Sequence, residues 1–440
     1  MEGFALNNLT IVRIEPWAPH PTASPLTERN GDELAVSSNG TRTCVGGWQI
    51  IYSGIVPGRR YAIRWDTRYT NIDHARDNLR GKLYWEDLAA DTSRPKGDWH
   101  YLLPETESDG VIFRRTLIAP VDANHLTIRS TFRWSPKGEA VWTMPQIEEL
   151  EPIESQGAIR VAVVTGTVTD RRQKYETIQD NIDLYLPLCR EAIEAGAQLI
   201  CLPEIALQYG MNGHALDVAI PLESPETEPF AKLARETGTR ILLGLFERDG
   251  DAVHNTAALL GPSGIEGRYH KVHLAVGGES ESGILPGDGF PVFKTDLGRI
   301  GCNICMDSSA AESARSIGLA GADFLLLPIM GDHRADRWSK GHPVFNESRW
   351  KAIMRTRAID SQLCMVVARN TSQGSCIIDR KGDILAWNEG DDAFIIADVS
   401  LEDGYRTWNG GCFTDVNWMQ RRPHIYAEYA NEENVGSLTS

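Results

Sequence analysis

No stretch of this chain stays apolar for the ~18 residues that a membrane-spanning helix needs. Its first residues, MEGFALNNLTIVRIEP, also lack the basic stretch and apolar core of a secretion signal. A cytoplasmic protein with no membrane partner is the expectation. Positive charge is in short supply: 44 Lys and Arg stand against 60 Asp and Glu, a formal net charge of −16. Such a surface repels a phosphate backbone, which argues against a nucleic-acid partner. Cysteine is sparse, with 8 residues scattered through apolar segments, and a chain of 440 residues needs no disulfide framework. A reducing compartment fits that pattern. No internal repeat is visible.

What is present is the composition of an ordinary globular protein, 42% hydrophobic and 24% charged. The length exceeds the about 100–200 residues of one domain, so two are expected. Up to residue 150, short alternating runs at 47–56, 60–65, 81–86, 111–117, 125–134 and 139–144 are broken by turn residues such as Pro57-Gly58. That is the grammar of an all-β sandwich. From residue 158 the rhythm changes, with strands at 159–164, 197–202, 240–246, 256–260, 323–327 and 363–368, and another running into Cys305. Helices at 175–195, 228–237, 310–320 and 347–360 alternate with them, the first interrupted by Pro187 and closed by Gly196. Such alternation implies sheets covered by helices. An acidic segment, 145–157, joins the halves. The expected division is 1–150 as a β-sandwich, 151–157 as linker, 158–430 as an α/β domain and 431–440 as a polar tail.

Three residues of the second half could carry chemistry. Cys305 ends the apolar run Arg299-Ile300-Gly301-Cys302-Asn303-Ile304, and a helix follows with Ser309 and Glu312 spaced as a capping box. A thiol between a strand end and a helix start lies near the positive end of the helix dipole, which favours the thiolate. Backbone N–H groups of that turn, Met306 the best placed, could receive an oxyanion. The bland alternative is a buried core thiol. Glu204 closes the apolar strand Leu199-Ile200-Cys201-Leu202-Pro203, at the end where active sites gather in layered α/β folds. A carboxylate there suits a general base and acid, whereas most glutamates are merely solvated. Lys271 sits in Arg268-Tyr269-His270-Lys271-Val272-His273-Leu274, where a fixed ammonium could hold the oxygen of a tetrahedral intermediate. Alone it would be read as surface.

In the order Glu, Lys, Cys, these residues resemble the triad of the nitrilase, or carbon-nitrogen hydrolase, superfamily. The further matches are Pro286-Gly287 ahead of Phe290-Pro291-Val292-Phe293, Ile304-Cys305-Met306-Asp307, Gly321-Ala322-Asp323, and Arg357-Ala358-Ile359-Asp360 before Ala368-Arg369-Asn370. Any one is weak, but the ordered set is specific. The resemblance implies a four-layer αββα sandwich as the hydrolase domain over 158–430, a homo-dimer or higher homo-oligomer, no cofactor and no metal. It also implies a thioester route in which Glu204 takes the Cys305 proton and Lys271 with the Met306 N–H holds the oxyanion. A second glutamate is implied near the lysine, and Glu279 is favoured over Glu281. Two departures stand out: Met306 where an aromatic residue is common, and Asp360-Ser361 in place of Glu-Asn. Nitrile-cleaving members typically carry Cys-Trp-Glu, while an aspartate two residues past the cysteine, as in Cys305-Met306-Asp307, is commoner in amidases and carbamoylases. A small-molecule amide or carbamoyl substrate is therefore expected, with a nitrile as the alternative.

Other readings compete. Cys302 with Cys305 and His270 with His273 have the spacing of metal ligands, yet a strand sends Cys302 and Cys305 to opposite faces. In the first half, Trp48, Tyr52, Tyr61, Trp65, Tyr84, Trp85, Trp99 and Trp134 loosely resemble a carbohydrate-binding jelly roll, so a glycan is a possible partner of that domain. Such aromatic residues are more often core. Finally, the loop 330–346 carries Asp332, His333, Arg334, Arg337, Trp338 and His342, a density of polar and aromatic groups expected to line the pocket.

Overall fold

The computed structural model describes residues 9–87, 98–108, 110–151, 157–167, 175–276, 278–330, 345–401 and 412–427. The chain forms two compact units, one of Met1–Ser155 with Tyr405–Ser440 and the other of Gln156–Gly404.

Two antiparallel sheets build the first unit. One runs in the order β1 (Thr10–Trp17), β4 (Val45–Ser53), β10 (His125–Arg133), β6 (Leu79–Tyr84), β7 (Trp99–Tyr101). The other runs β2 (Leu26–Asn30), β3 (Glu33–Ser37), β11 (Glu139–Trp142), β5 (Arg60–Thr70), β9 (Gly110–Ile118), β8 (Leu103–Glu107), with β12 (Gln146–Leu150) also on β5. Alternation along β5 buries Tyr61, Ile63 and Trp65 and leaves Ala62, Arg64 and Asp66 part-exposed, so one face of the sheet is apolar. That face meets Ile50, Tyr52, Leu83 and Ile128 of the other sheet in a single core. Trp142 packs there against Trp65 at 4.7 Å and Phe113 at 5.1 Å between ring centroids. Trp48, Tyr52, Tyr61, Trp65, Tyr84, Trp85 and Trp99 are all buried, while Trp134 is 47% exposed. Of the aromatic residues that suggested a sugar platform, only Trp134 therefore faces solvent.

Gln146–Leu150, at the start of the acidic joining segment, pairs with β5 as a strand of the sandwich, inside the 1–150 expected for it. One boundary differs from the sequence reading. The end of the chain, assigned above to the α/β domain as far as residue 430, groups with the β-sandwich from Tyr405 onward. Its anchor is Asp415, fully buried. Asp415 accepts from the Tyr101 N–H at 2.8 Å, meets His100 Nδ1 at 2.9 Å, and ion-pairs with Arg115. Burial opposes its charge, but the His100 hydrogen bond and the Arg115 guanidinium hold its carboxyl well below the usual range. The tail 431–440 lies outside the described residues.

In the second unit one sheet runs β17 (Gly264–His270), β16 (Ala252–Gly261), β15 (Arg240–Asp249), β14 (Leu199–Cys201), β13 (Ile159–Val164), β24 (Phe394–Val399). The other runs β18 (Val292–Thr295), β19 (Gly298–Cys302), β20 (Phe324–Ile329), β21 (Cys364–Arg369), β22 (Cys376–Ile378), β23 (Ile384–Trp387). The strands are apolar on both faces because both are covered. Val161 and Val163 of β13 point into a core shared with Phe324 and Leu326 of β20 and Val366 of β21. Ala162 and Val164 point the other way, to Ile182, Tyr185 and Cys189 of the helix Ile178–Glu194 and Phe230 of the helix Glu228–Thr237. Leu325 and Leu327 likewise meet Ile317 of the helix Ala311–Leu319 and Trp350 and Met354 of the helix Glu347–Ser361. Helix, sheet, sheet, helix is the four-layer αββα arrangement.

The helix Ile178–Glu194 runs through Pro187 without a break. Thr177 and Asp180 close a capping box at its start, and buried Ile182, Tyr185, Cys189 and Ala192 lie on both sides of the proline. Packing of that face outweighs one missing backbone hydrogen bond. Among the described residues, no helix is long and apolar enough to cross a membrane.

Candidate active site

Each site residue sits just past the end of a strand of the second unit. β14 ends at Cys201, and Leu202-Pro203 carries the chain to Glu204, whose side chain is 2% exposed. The turn is tight: Ile205 has φ +44°, a conformation that a β-branched residue rarely adopts. It fits because β15 presents a glycine there. A Cβ on Gly244 would lie 2.4 Å from the Pro203 carbonyl oxygen and 2.8 Å from the Ile205 nitrogen. Asn370, at the end of the Ala368-Arg369-Asn370 run, donates from Nδ2 to the Glu204 carbonyl at 2.7 Å.

Lys271 follows β17 directly. Its N–H donates to the Asn255 carbonyl and its own carbonyl accepts from the Gly287 N–H, both at 2.9 Å. A Cβ at Gly287 would come within 2.3 Å of the His270 carbonyl oxygen, a physical reason for the Pro-Gly landmark.

Cys305 opens the 3-10 turn Cys305–Ser309 beyond β19, with φ +43°. The turn is anchored by Asp307, which is fully buried. One Asp307 oxygen accepts from the Ile304 N–H at 2.8 Å and the Tyr269 hydroxyl at 2.7 Å. The other accepts from the His273 N–H at 2.9 Å and lies 2.8 Å from His273 Nδ1. The capping box expected at Ser309 does not form: the helix Ala311–Leu319 has Ala310 as its N-cap, with no side-chain cap. The 3-10 turn takes up Ser309, and Asp307 provides the local anchor instead.

The side chains converge. Lys271 Nζ lies 2.8 Å from Glu204 Oε1 and 2.7 Å from Glu279 Oε2, and the lysine side chain is 1% exposed. Asn255 Nδ2 donates to both carboxylates, at 2.8 Å to Glu204 and 2.5 Å to Glu279. The Met330 N–H donates to Glu204 Oε2 at 2.6 Å, and the Ala275 N–H to Glu279 Oε2 at 2.8 Å. Buried charges persist only with such complete pairing. Burial pulls the Lys271 pKa down, but the charges of Glu204, Cys305 and Glu279 outweigh it and hold the amine firmly as ammonium. Glu204, Lys271, Glu279, Cys305, Met306 and Met330 all line one cavity of about 560 Å³.

Sequence reasoning thus finds the residues that converge, and the structure places Glu279 on Lys271 while Glu281 is exposed. It misses Asn255, because a lone asparagine within a strand carries no signal, and it gave Asp307 and Asn370 no structural duty. Asp332, His333 and Arg334 lie outside the described residues, as do Arg337, Trp338 and His342. The supposed metal ligands go to separate places. Cys302 is buried between the sheets, His270 Nε2 meets Glu247 at 3.1 Å, and His273 serves Asp307.

A model of the carbon-nitrogen hydrolase family matches residues 160–408, more than half of the chain. The chain belongs to the carbon-nitrogen hydrolase family. Among relatives of this hydrolase, a protein named nitrilase from Pyrococcus abyssi is 37% identical over 146 residues, 32% of this chain and 55% of the relative. N-carbamoylputrescine amidase of Oryza sativa subsp. japonica is 31% identical over 297 residues, 61% of this chain and 93% of the relative. The crystal structure of an amidase from Nesterenkonia sp. superposes with a TM-score of 0.50 at 19% identity, over 63% of this chain and 99% of that one. That superposition shows a shared fold.

Proposed function

We propose that this hydrolase cleaves amide or N-carbamoyl bonds of small molecules through a thioester on Cys305. The observation that carries the reading is the convergence of Glu204, Lys271, Glu279 and Cys305 on one cavity, with the ammonium held between two carboxylates. The Cys305 proton passes to Glu204 as Sγ attacks the carbonyl carbon. Lys271 and the Met306 N–H stabilise the oxygen that becomes negative. Glu204 then protonates the leaving nitrogen as the carbon-nitrogen bond breaks, and the thioester remains. Water, deprotonated by the same glutamate, releases the acid. Glu279 and Asn255 hold Lys271 and Glu204 in register.

Amide or carbamoyl cleavage is supported by relatives named amidase and N-carbamoylputrescine amidase and by Asp307 two residues past the cysteine. One observation favours a nitrile instead, the name of the Pyrococcus abyssi relative. Matched amide, N-carbamoyl and nitrile panels with ammonia release measured, beside Cys305→Ala and Glu204→Gln, decide between them. The expected result is amide or carbamoyl turnover abolished by both substitutions. Nitrile turnover well above the others would keep the triad and reject the bond, and activity in Cys305→Ala would reject the mechanism.

A further inference from the structure

The two sheets of the second unit divide the reacting groups between them. Lys271 follows β17 of the first sheet, and Cys305 follows β19 of the second. Serines tie the Cys305 turn to its own surroundings: Ser308 Oγ donates to the Cys305 carbonyl at 2.7 Å, and Ser313 Oγ, on the helix behind, to the Asp307 carbonyl at 2.6 Å. The Asp307 carboxylate reaches across to the other sheet. It takes the Tyr269 hydroxyl on one oxygen and the His273 N–H on the other, and these residues flank Lys271 on either side in the chain. The first oxygen also holds the Ile304 N–H, next to the nucleophile. Phe290 stacks against both partners, its ring centroid 6.3 Å from that of Tyr269 and 6.2 Å from that of His273. Burial, and after it the Asp307 charge, push the Tyr269 hydroxyl well above its usual range, so it stays a donor.

We propose that Asp307 is a positioning residue: by fastening the Cys305 turn to both flanks of Lys271, it sets the ammonium where the oxyanion forms on the carbon that Sγ attacks. The proposal rests on Cys305 as nucleophile and Lys271 as oxyanion holder. Asp307 itself is fully buried, with donors on both oxygens, so it acts through those two residues. A slip of about 1 Å between the sheets here would leave the thiol intact and move the ammonium off the developing charge.

Two reagents that modify Cys305 isolate this role, each followed by mass spectrometry of the peptide that contains it. p-Nitrophenyl acetate acylates the sulfur through a tetrahedral oxyanion, with p-nitrophenolate leaving. Iodomethane methylates it by displacement of iodide, and no oxyanion forms. Rates are compared at the high-pH plateau, where the thiol is already ionised and needs no base. Asp307→Asn keeps the side-chain shape but loses the charge and one acceptor. It is expected to acylate roughly 10- to 100-fold more slowly than the wild-type protein and to be methylated at the same rate. Tyr269→Phe, which removes one donor and no charge, should act in the same sense on a smaller scale, and it carries the test if Asp307→Asn does not fold. Equal loss in both reactions, or loss in neither, would overturn the proposal. A wild-type protein that acylates in this Asp307-dependent way yet cleaves no amide or carbamoyl compound upholds the positioning role and rejects the proposed function instead.

Discussion

Lys271 and Glu247 show how single side chains are fixed by the charges around them. Glu247, buried at the end of β15, accepts from Thr256 Oγ1 and Arg268 Nη1 at 2.8 Å each and meets His270 Nε2 at 3.1 Å. Burial opposes its charge, but the hydrogen bonds from His270, Arg268 and Thr256 prevail and hold the carboxyl down at about 2. A carboxyl lowered in the folded state adds stability above its ordinary value of about 4.3, and that stability is lost as pH falls through the folded value. Urea midpoints of the wild-type protein should therefore drop steeply between pH about 4.3 and about 2. Glu247→Gln should be less stable at pH 7, by on the order of 3 kcal/mol, and should show a flatter profile over that window. Parallel profiles would contradict this assignment. Glu204, Lys271 and Cys305 were legible in the sequence because each stands in a local pattern that survives outside its fold. Asn255 and the anchoring duty of Asp307 were not, since both depend on which strands lie side by side.

At the scale of elements, β13, β14, β15, β16, β20 and β21 of the second unit were read nearly to their bounds, because burial on both faces leaves continuous runs, while β17, β18, β22, β23 and β24 of the same unit were not read as strands. Short or edge strands of the first unit, such as β1, β2, β7 and β8, escaped, as few of their residues need be apolar. The run through Pro187 shows tertiary packing overruling a local breaker. Close approach of two elements is equally invisible in one sequence: β15 meets the Glu204 turn at Gly244. Gly244→Ala should push that turn, lowering stability by about 1–3 kcal/mol. By displacing the Glu204 carboxylate it should also cost roughly 10-fold or more in kcat/KM. An alanine variant with unchanged kcat/KM would show that the contact is not needed to place Glu204.

Across the whole molecule, the family match at 160–408 and the compact unit Gln156–Gly404 coincide closely, and the sequence after them returns to the β-sandwich. Composition hid that return, since a few buried polar contacts fasten it. Asp415→Asn would leave Arg115 without its ion pair, at a cost of about 3–5 kcal/mol. Hydrogen exchange should quicken in β7 and β9 and stay unchanged in β19 and β20, whereas uniform protection throughout would refute Asp415 as the anchor. The central claim concerns Cys305, and mass spectrometry of the protein quenched during amide turnover tests it most directly. The predicted result is an acyl adduct, the acid less one water, on the peptide that contains Cys305 and absent from Cys305→Ala. Continued turnover by Cys305→Ala, or an adduct on another residue, would contradict it.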